Sequence, residues 1–573
     1  MMNHAQRIAS RFGWKKFSTR KEARVVKGKF FLVACLIASL LAASCERQSG
    51  THQAEYRPAP SSTKSEANAP AQYAANARAG LAKEKQQRDD EGNGNTEAYS
   101  HIEENPFLEV AHAPLSTFSI DVDTASYSNA RRFLLDEKRL PPKDAVRIEE
   151  FVNYFTYDYP QPAADVPFSV TTEVSECPWN NAHRLVQIGL QGRKIPLENL
   201  PPANLVFLLD VSGSMNEENK LPLVKTALRT LTEQLRPRDR VAIVVYAGNS
   251  GMVLPSTSGD RKSEIIAALD RLDAGGSTNG GAGIELAYKI ALDNFIQGGS
   301  NRVILATDGD FNVGTTSEGD LVRLIEEKRK SGVFLSVLGF GTGNVKDATM
   351  EKLADKGNGN YAYIDTQSEA RKALGAQLGG TLFTIAKDVK LQIEFNPKQA
   401  AAYRLIGYEN RLLRDEDFND DKKDAGDIGS GHTVTALYEI VPFGQKFDNA
   451  GVDPLKYQQR ATPNAMANSS ELMTIKLRYK QPDADESKLL SIGVADSRAS
   501  LSNASENLKF ASAVAEFGML LRESKYKGDA TYADVLQRAK AATGNDLQGY
   551  RSEFVKLVES ARSLSEHRAS IND

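Results

Sequence analysis

Leu205-Val206-Phe207-Leu208-Leu209-Asp210-Val211-Ser212-Gly213-Ser214-Met215 joins a run of apolar residues to a loop of short oxygen-bearing side chains. The run is continuous and not alternating, the pattern of a strand covered on both faces. Residues 241–245, 303–306 and 333–338 repeat it. Between the first two runs, Val224, Ala227, Leu228, Leu231 and Leu235 recur at helical spacing behind Pro222, a residue tolerated in a first turn. Strand alternating with helix predicts an α/β domain over 201–387. It is a doubly wound, mostly parallel sheet with right-handed crossovers and a site at the carboxyl ends of its strands.

Those ends carry the chemistry. The first strand stops at Asp210-x-Ser212-x-Ser214. Gly275-Gly276-Ser277-Thr278-Asn279-Gly280-Gly281 precedes another helix, and the run 303–306 stops at Thr307-Asp308-Gly309. Two carboxylates and three hydroxyls are hard donors, which select Mg²⁺, or Mn²⁺ or Ca²⁺, over zinc. Two charges leave a divalent ion electrically unfinished, so a water-held position on it can accept a carboxylate from a partner. An Asp-x-Ser-x-Ser loop alone also serves as a helix N-cap. In combination, the three segments resemble the von Willebrand factor A domain with its metal-ion-dependent adhesion site. The resemblance implies that Ser212, Ser214 and Thr278 touch the metal, with Asp210 and Asp308 acting through water or as supporting ligands.

The flanks read differently. Residues 168–178 and 184–192 alternate like half-buried strands around a turn at 178–182, and 391–395, 434–438 and 473–477 alternate likewise. The simplest arrangement is one antiparallel β-sandwich with the α/β domain inserted, which chain ends lying close together permit. A helical region closes the chain, with apolar stripes Phe510, Val514, Phe517, Leu521 and Phe554, Leu557, Val558, Ala561 suited to core contacts. With Phe118-Ser119-Ile120-Asp121-Val122-Asp123-Thr124-Ala125-Ser126-Tyr127 at its start, the region from about 106 to 565 resembles the bacterial YfbK-like family. That resemblance implies a fold and a metal site but no substrate.

At 573 residues the chain exceeds what one core serves, and its hydrophobic fraction of 41% excludes wholesale disorder. Residues 1–29 hold nine Lys or Arg and only Glu22 as acid, a balance of +8; removing them takes the formal charge from −3 to −11. So acidic a remainder argues against binding nucleic acid. The 15 uncharged residues 30–44 are short of the ~20 that span a bilayer and fit the apolar core of a signal peptide. Leu41-Ala42-Ala43-Ser44-Cys45 resembles the bacterial lipobox, which implies lipidation of Cys45 and a membrane anchor. Glu46 after the cysteine points to the outer membrane. Cys177, the one thiol left, has no disulfide partner and reads as a small buried residue. The expected order is a signal peptide at 1–44, a disordered tether at 45–105 and an N-terminal domain with strands at 106–200. The A domain at 201–387 and a β-plus-helical domain at 388–573 follow.

Two motifs are set aside. Asp121-x-Asp123 suggests a phosphatase nucleophile loop, but Ser116, Thr117 and Ser119 are too polar for the buried strand it needs, and capping of a helix over 127–135 by Asp123 or Thr124 fits better. The acidic loop 415–421 lacks the Gly and Glu of a calcium-binding EF-hand and reads as a solvated loop. The expected function is a non-enzymatic, lipid-anchored envelope protein that binds an unidentified protein through a partner Asp or Glu on the bound metal. A metal-dependent phosphoesterase using Asp121/Asp123 and a structural envelope scaffold are the alternatives.

Overall fold

A computed structural model describes residues 96–163, 166–276, 280–309, 317–376, 378–445 and 463–572. The signal, Cys45, most of the expected tether and Thr278 lie outside them. Four strands precede the α/β domain: β1 (Leu108–Glu109), β2 (Leu115–Ser119), β3 (Phe168–Cys177) and β4 (Asn180–Gly192). The domain contributes β5 (Ala203–Asp210), β6 (Arg240–Tyr246), β7 (Ser250–Ser258), β8 (Ser300–Thr307), β9 (Phe334–Gly339) and β10 (Tyr361–Tyr363). Six follow it: β11 (Thr384–Phe395), β12 (Ala400–Ile406), β13 (Gly426–Gly429), β14 (Thr433–Pro442), β15 (Glu471–Lys480) and β16 (Lys488–Ala495).

The central sheet runs β10-β9-β8-β5-β6-β7, parallel throughout except for β7. Every residue of β5 is buried, because alternate side chains enter different cores. Leu205, Phe207 and Leu209 face the helices Leu221–Glu233 and Lys262–Asp270, while Val206 and Leu208 face Gly280–Asp293, Glu318–Lys328 and Asp347–Lys356. The chain leaves β5 for β6 on one side and returns to β8 on the other, so the strand order reverses at β5. That reversal opens a crevice at the carboxyl ends of β5 and β8.

Strands from before and after the domain do share sheets. One is β1-β12-β14-β4-β3; in the other β11 pairs with β15 on one side, and with β13 and β2 along successive halves of its other side. Both are antiparallel, and Val186, Ile188, Leu391, Ile393, Tyr438 and Ile475 fill the common core between them. The α/β domain is thus an insertion between β4 and β11. A fourth core joins the helices Ala125–Arg131 and Ile148–Tyr154 to Glu506–Leu521, Tyr532–Ala541 and Tyr550–Asn572, and both expected apolar stripes are spent inside it. Ser505 opens the first of these C-terminal helices by accepting a bond from Leu508 N at 3.1 Å.

Residues 96–98, expected at the end of the tether, lie against the inserted domain. Thr96 N donates to Gly343 O (2.7 Å), Ala98 pairs with Lys346, and Glu97 meets Arg132 at 2.9 Å. Asp123 and Thr124 do not cap the following helix with their side chains, and that helix is Ala125–Arg131, with a wider turn over Arg132–Asp136. Asp123 is drawn away instead: its Oδ1 accepts from Tyr361 N at 2.7 Å and its Oδ2 faces Arg411 at 3.5 Å. Arg411 also binds Glu351 (3.1 Å) and Asp355, and Arg147 binds Asp347 (2.6 Å), so the helix Asp347–Lys356 is clamped by guanidinium groups from both flanks. Burial raises the Asp121 carboxyl to about 8 despite Arg411 alongside. Cys177 is buried, and burial pushes its thiol well up, which suits a packing residue and not a nucleophile. The acidic loop forms a short turn, Asp415–Asn419, in which Asp417 is bound by Arg414 at 2.8 Å. No helix among the described residues is long and apolar enough to cross a membrane.

Candidate metal centre

The end of β5 places Asp210 at the bottom of the crevice, wholly buried. Its Oδ1 accepts from Ser212 N at 2.9 Å, which bends the chain sharply into the loop. The bend sets Ser212 Oγ 3.1 Å from Ser214 Oγ, with Ser212 buried and Ser214 exposed. Asp308, also fully buried, follows the end of β8, the strand directly beside β5. The Gly275-Gly276 segment docks on the same loop, Gly275 N donating to Val211 O (2.8 Å) and Gly213 N to Gly276 O (3.0 Å). Gly276 has φ +86°, a conformation glycine adopts without a Cβ penalty. The structure therefore gathers Asp210, Ser212, Ser214 and Asp308 at one edge; Thr278, two residues beyond this docked turn, is not among the described residues.

Three further residues belong here to which the motifs assigned no role. Thr307 Oγ1 donates to Asp210 Oδ2 at 3.3 Å and accepts from Gly309 N at 3.1 Å, tying the two strand ends together. Tyr246 ends β6 directly opposite Asp210; its ring is buried, and its hydroxyl makes no hydrogen bond of ordinary geometry. Register could have found both, since each is the last residue of a strand adjoining β5 or lies opposite Asp210. Lys220, ten residues after Asp210, is buried with Nζ 3.2 Å from Asp308 Oδ2. Its stem crosses Gly341 (φ +78°), where a Cβ would lie 2.3 Å from Lys220 Cε. A charged residue in a loop ordinarily reads as solvated, so sequence gave no sign of it.

Burial raises the Asp210 carboxyl to about 6, with Asp308's charge adding to the rise and the Ser212 hydrogen bonds opposing it. Two desolvated carboxylates held near one another are unfavourable without positive charge, and Lys220 supplies only one unit. The donors are oxygens alone, anionic and hydroxylic, with no imidazole or thiolate. That chemistry fits a hard divalent cation. With one in place, the two carboxylates, the lysine and the ion sum to about +1 by formal charge, so the finished centre attracts an anion.

Comparison with known proteins follows the same division. Residues 204–377 match the von Willebrand factor type A domain, 93–187 a further segment described as von Willebrand factor, and 380–564 the C-terminal region of uncharacterized protein YfbK. The chain is 46% identical over 484 residues to uncharacterized protein YfbK of Escherichia coli (strain K12), spanning 83% of this chain and 82% of that one. It is 30% identical over 178 residues to human inter-alpha-trypsin inhibitor heavy chain H4, covering 30% of this chain and 19% of that protein. Among solved structures, a von Willebrand factor type A protein from Catenulispora acidiphila overlaps 68% of this chain and 90% of its own, at 17% identity and a TM-score of 0.38.

Proposed function

The chain belongs to the YfbK family of von Willebrand factor A-domain proteins, and from that premise we propose that it is a metal-dependent protein-binding lipoprotein of the bacterial cell envelope. Domains of this class often bind a divalent metal and are mostly non-enzymatic interaction modules. The observation that carries the reading is the convergence of two fully buried carboxylates and two hydroxyls 3.1 Å apart at the carboxyl edge of the sheet. In this reading Ser212, Ser214 and Thr278 would hold Mg²⁺, or Mn²⁺ or Ca²⁺, with Asp210 and Asp308 acting through water or as supporting ligands. When bound, the ion supplies an open electrophilic position that a carboxylate can fill. Asp210 anchors the loop, Thr307 holds Asp210 to the neighbouring strand, and Lys220 keeps the pair of acids short of full repulsion. The partner is a protein offering an Asp or Glu side chain. Lipid on Cys45 holds the protein at a membrane, the outer one on the strength of Glu46.

The test is calorimetric titration of Mg²⁺ into the full chain and into Asp210→Ala, followed by capture from envelope extract with Mg²⁺ or with chelator. Saturable binding that the substitution abolishes, with a partner retained only in Mg²⁺, is expected. Equal Mg²⁺ affinity in both chains would refute the site. A partner held equally well in chelator would refute the mechanism. With Asp123 committed to Tyr361 and Arg411, no observation favours the phosphoesterase reading.

A further inference from the structure

The last strand of the second sandwich sheet is unusually open. β16 pairs with β15 alone among the described residues, and of its eight residues only Val494 is buried. Leu489 is 54% and Leu490 37% exposed. Leu490, Ile492 and Val494 stand opposite Leu477, Ile475 and Met473, all buried in the sandwich core. The apolar face of the sheet thus runs on past the core that should cover it. Proteins ordinarily blunt such an edge with charge, proline or a bulge, because its free N–H and C=O groups template another strand. Between Lys488 and Asp496 this edge has no charged residue and no proline. The edge of β3 differs, since Glu176 N donates to Ala499 O and partly closes it.

We propose that β16 pairs antiparallel with β16 of a second copy of this chain about a two-fold axis at Ile492, so that one sheet runs through both molecules. The strand is complementary to itself in that register. Lys488 meets Asp496, Leu489 meets Ala495, Leu490 meets Val494, Ser491 meets Gly493 and Ile492 meets Ile492. Opposite charges meet at the ends, apolar residues meet at 489/495, 490/494 and 492/492, and the remaining pair, Ser491 with Gly493, is small. Centring the axis one residue earlier, on Ser491, sets Lys488 against Val494 and loses the match. Asp496 Oδ1 accepts from Arg184 at 2.8 Å and from Arg498 N at 2.7 Å, which leaves Oδ2 for the lysine of the second copy. The contact is isologous, the commonest arrangement of soluble dimers, and it extends the Leu490–Ile492–Val494 face over a matching one.

Disulfide trapping in the full chain, in detergent solution, tests both the pairing and the register. Directly opposed residues in an antiparallel pair sit about 4.5–5.5 Å apart between Cα atoms, inside the disulfide range. Ile492→Cys should convert most of the protein to a covalent dimer under mild oxidation, above the background of the parent chain. Leu489→Cys and Ala495→Cys should each fail alone and link when mixed. Sedimentation should show the parent as a dimer at micromolar concentration and Leu490→Lys weakened at least tenfold. A monomeric parent overturns the proposal, as does Ile492→Cys linking no more than the parent. Leu489→Cys linking to itself as readily as to Ala495→Cys overturns the register and with it the argument. Capture of a different protein along this edge, with no self-association, also overturns it.

Discussion

Replacing Arg411 by Met should unlock the clamp on the helix Asp347–Lys356, and the cost should depend on pH in a calculable way. Arg411, its side chain 9% exposed, faces Glu351 (3.1 Å), Asp123 (3.5 Å), Asp121 (3.8 Å) and Asp355. Removing one partner from such a cluster typically costs ~3–5 kcal/mol, because buried charges lose their compensation. The carboxyls limit the loss by taking a proton. Asp121, raised to about 8, and Asp123, which burial and the neighbouring Asp121 push well above its usual value, carry little charge at pH 7 and contribute least. Glu351 contributes most: burial opposes its charge, and Arg147 with Arg411 overcomes that and holds it below the ordinary range. Keeping one such acid neutral costs ~3.7 kcal/mol at pH 7 and ~1 kcal/mol at pH 5, from 1.36 kcal/mol per unit above an ordinary value near ~4.3. The deficit of Arg411→Met should therefore be ~3–4 kcal/mol at pH 7 and shrink to ~1–2 kcal/mol at pH 5. Urea unfolding at both pH values reads it, with the buried Trp179 as fluorescence reporter. A deficit below ~1 kcal/mol at pH 7, or one equal at the two pH values, would refute the reasoning.

Lys220→Met should tighten Mg²⁺ binding several-fold by calorimetry, because the ammonium 3.2 Å from Asp308 competes with any second cation; unchanged or weaker affinity counts against that role. Burial alone lowers the His432 imidazole to about 4. The folded value lies below the unfolded ~6.5, so this contribution is complete above pH 6.5 and is lost as pH falls toward 4, by on the order of 3 kcal/mol. His432→Phe should flatten that limb of the stability–pH curve, and an identical limb in the variant would contradict the assignment. Phe517, wholly buried against Phe151, Phe554 and Tyr532, should cost ~3–5 kcal/mol when cut to Ala, read as a lowered unfolding midpoint.

What the sequence disclosed followed the strength of local pattern. The four continuous apolar runs are β5, β6, β8 and β9, because a strand buried on both faces leaves a signal no loop imitates. β7 left little: in Ser250-Gly251-Met252-Val253-Leu254-Pro255 the apolar run is three residues long and ends at a proline, tolerable only at the edge where it lies. β10, three residues long, is too brief for periodicity to register. At the metal centre, Asp210, Ser212, Ser214 and Asp308 were legible because strand ends and motif coincide. Lys220 and Arg411 were not. Arg411 meets Asp123 across 288 positions, a pairing that only the folded chain brings about.

The seam at Thr96–Ala98 gives the protein a mechanical grain. Backbone bonds from Thr96 to Gly343 and from Ala98 to Val345 fasten this stretch to the loop after β9. That loop abuts the Asp308 turn so closely that a Cβ on Gly309 would lie 2.7 Å from Lys346 N. Tension on the chain ahead of Thr96 therefore enters the fold one loop away from the ligand-bearing edge. It is shared there with the ion pair from Glu97 to Arg132 before it reaches the sandwich. A tug from the N-terminal side loads this seam first and the sandwich second, so bond rupture under force should begin at the Thr96–Gly343 and Ala98–Val345 bonds, beside the loop that abuts the Asp308 turn.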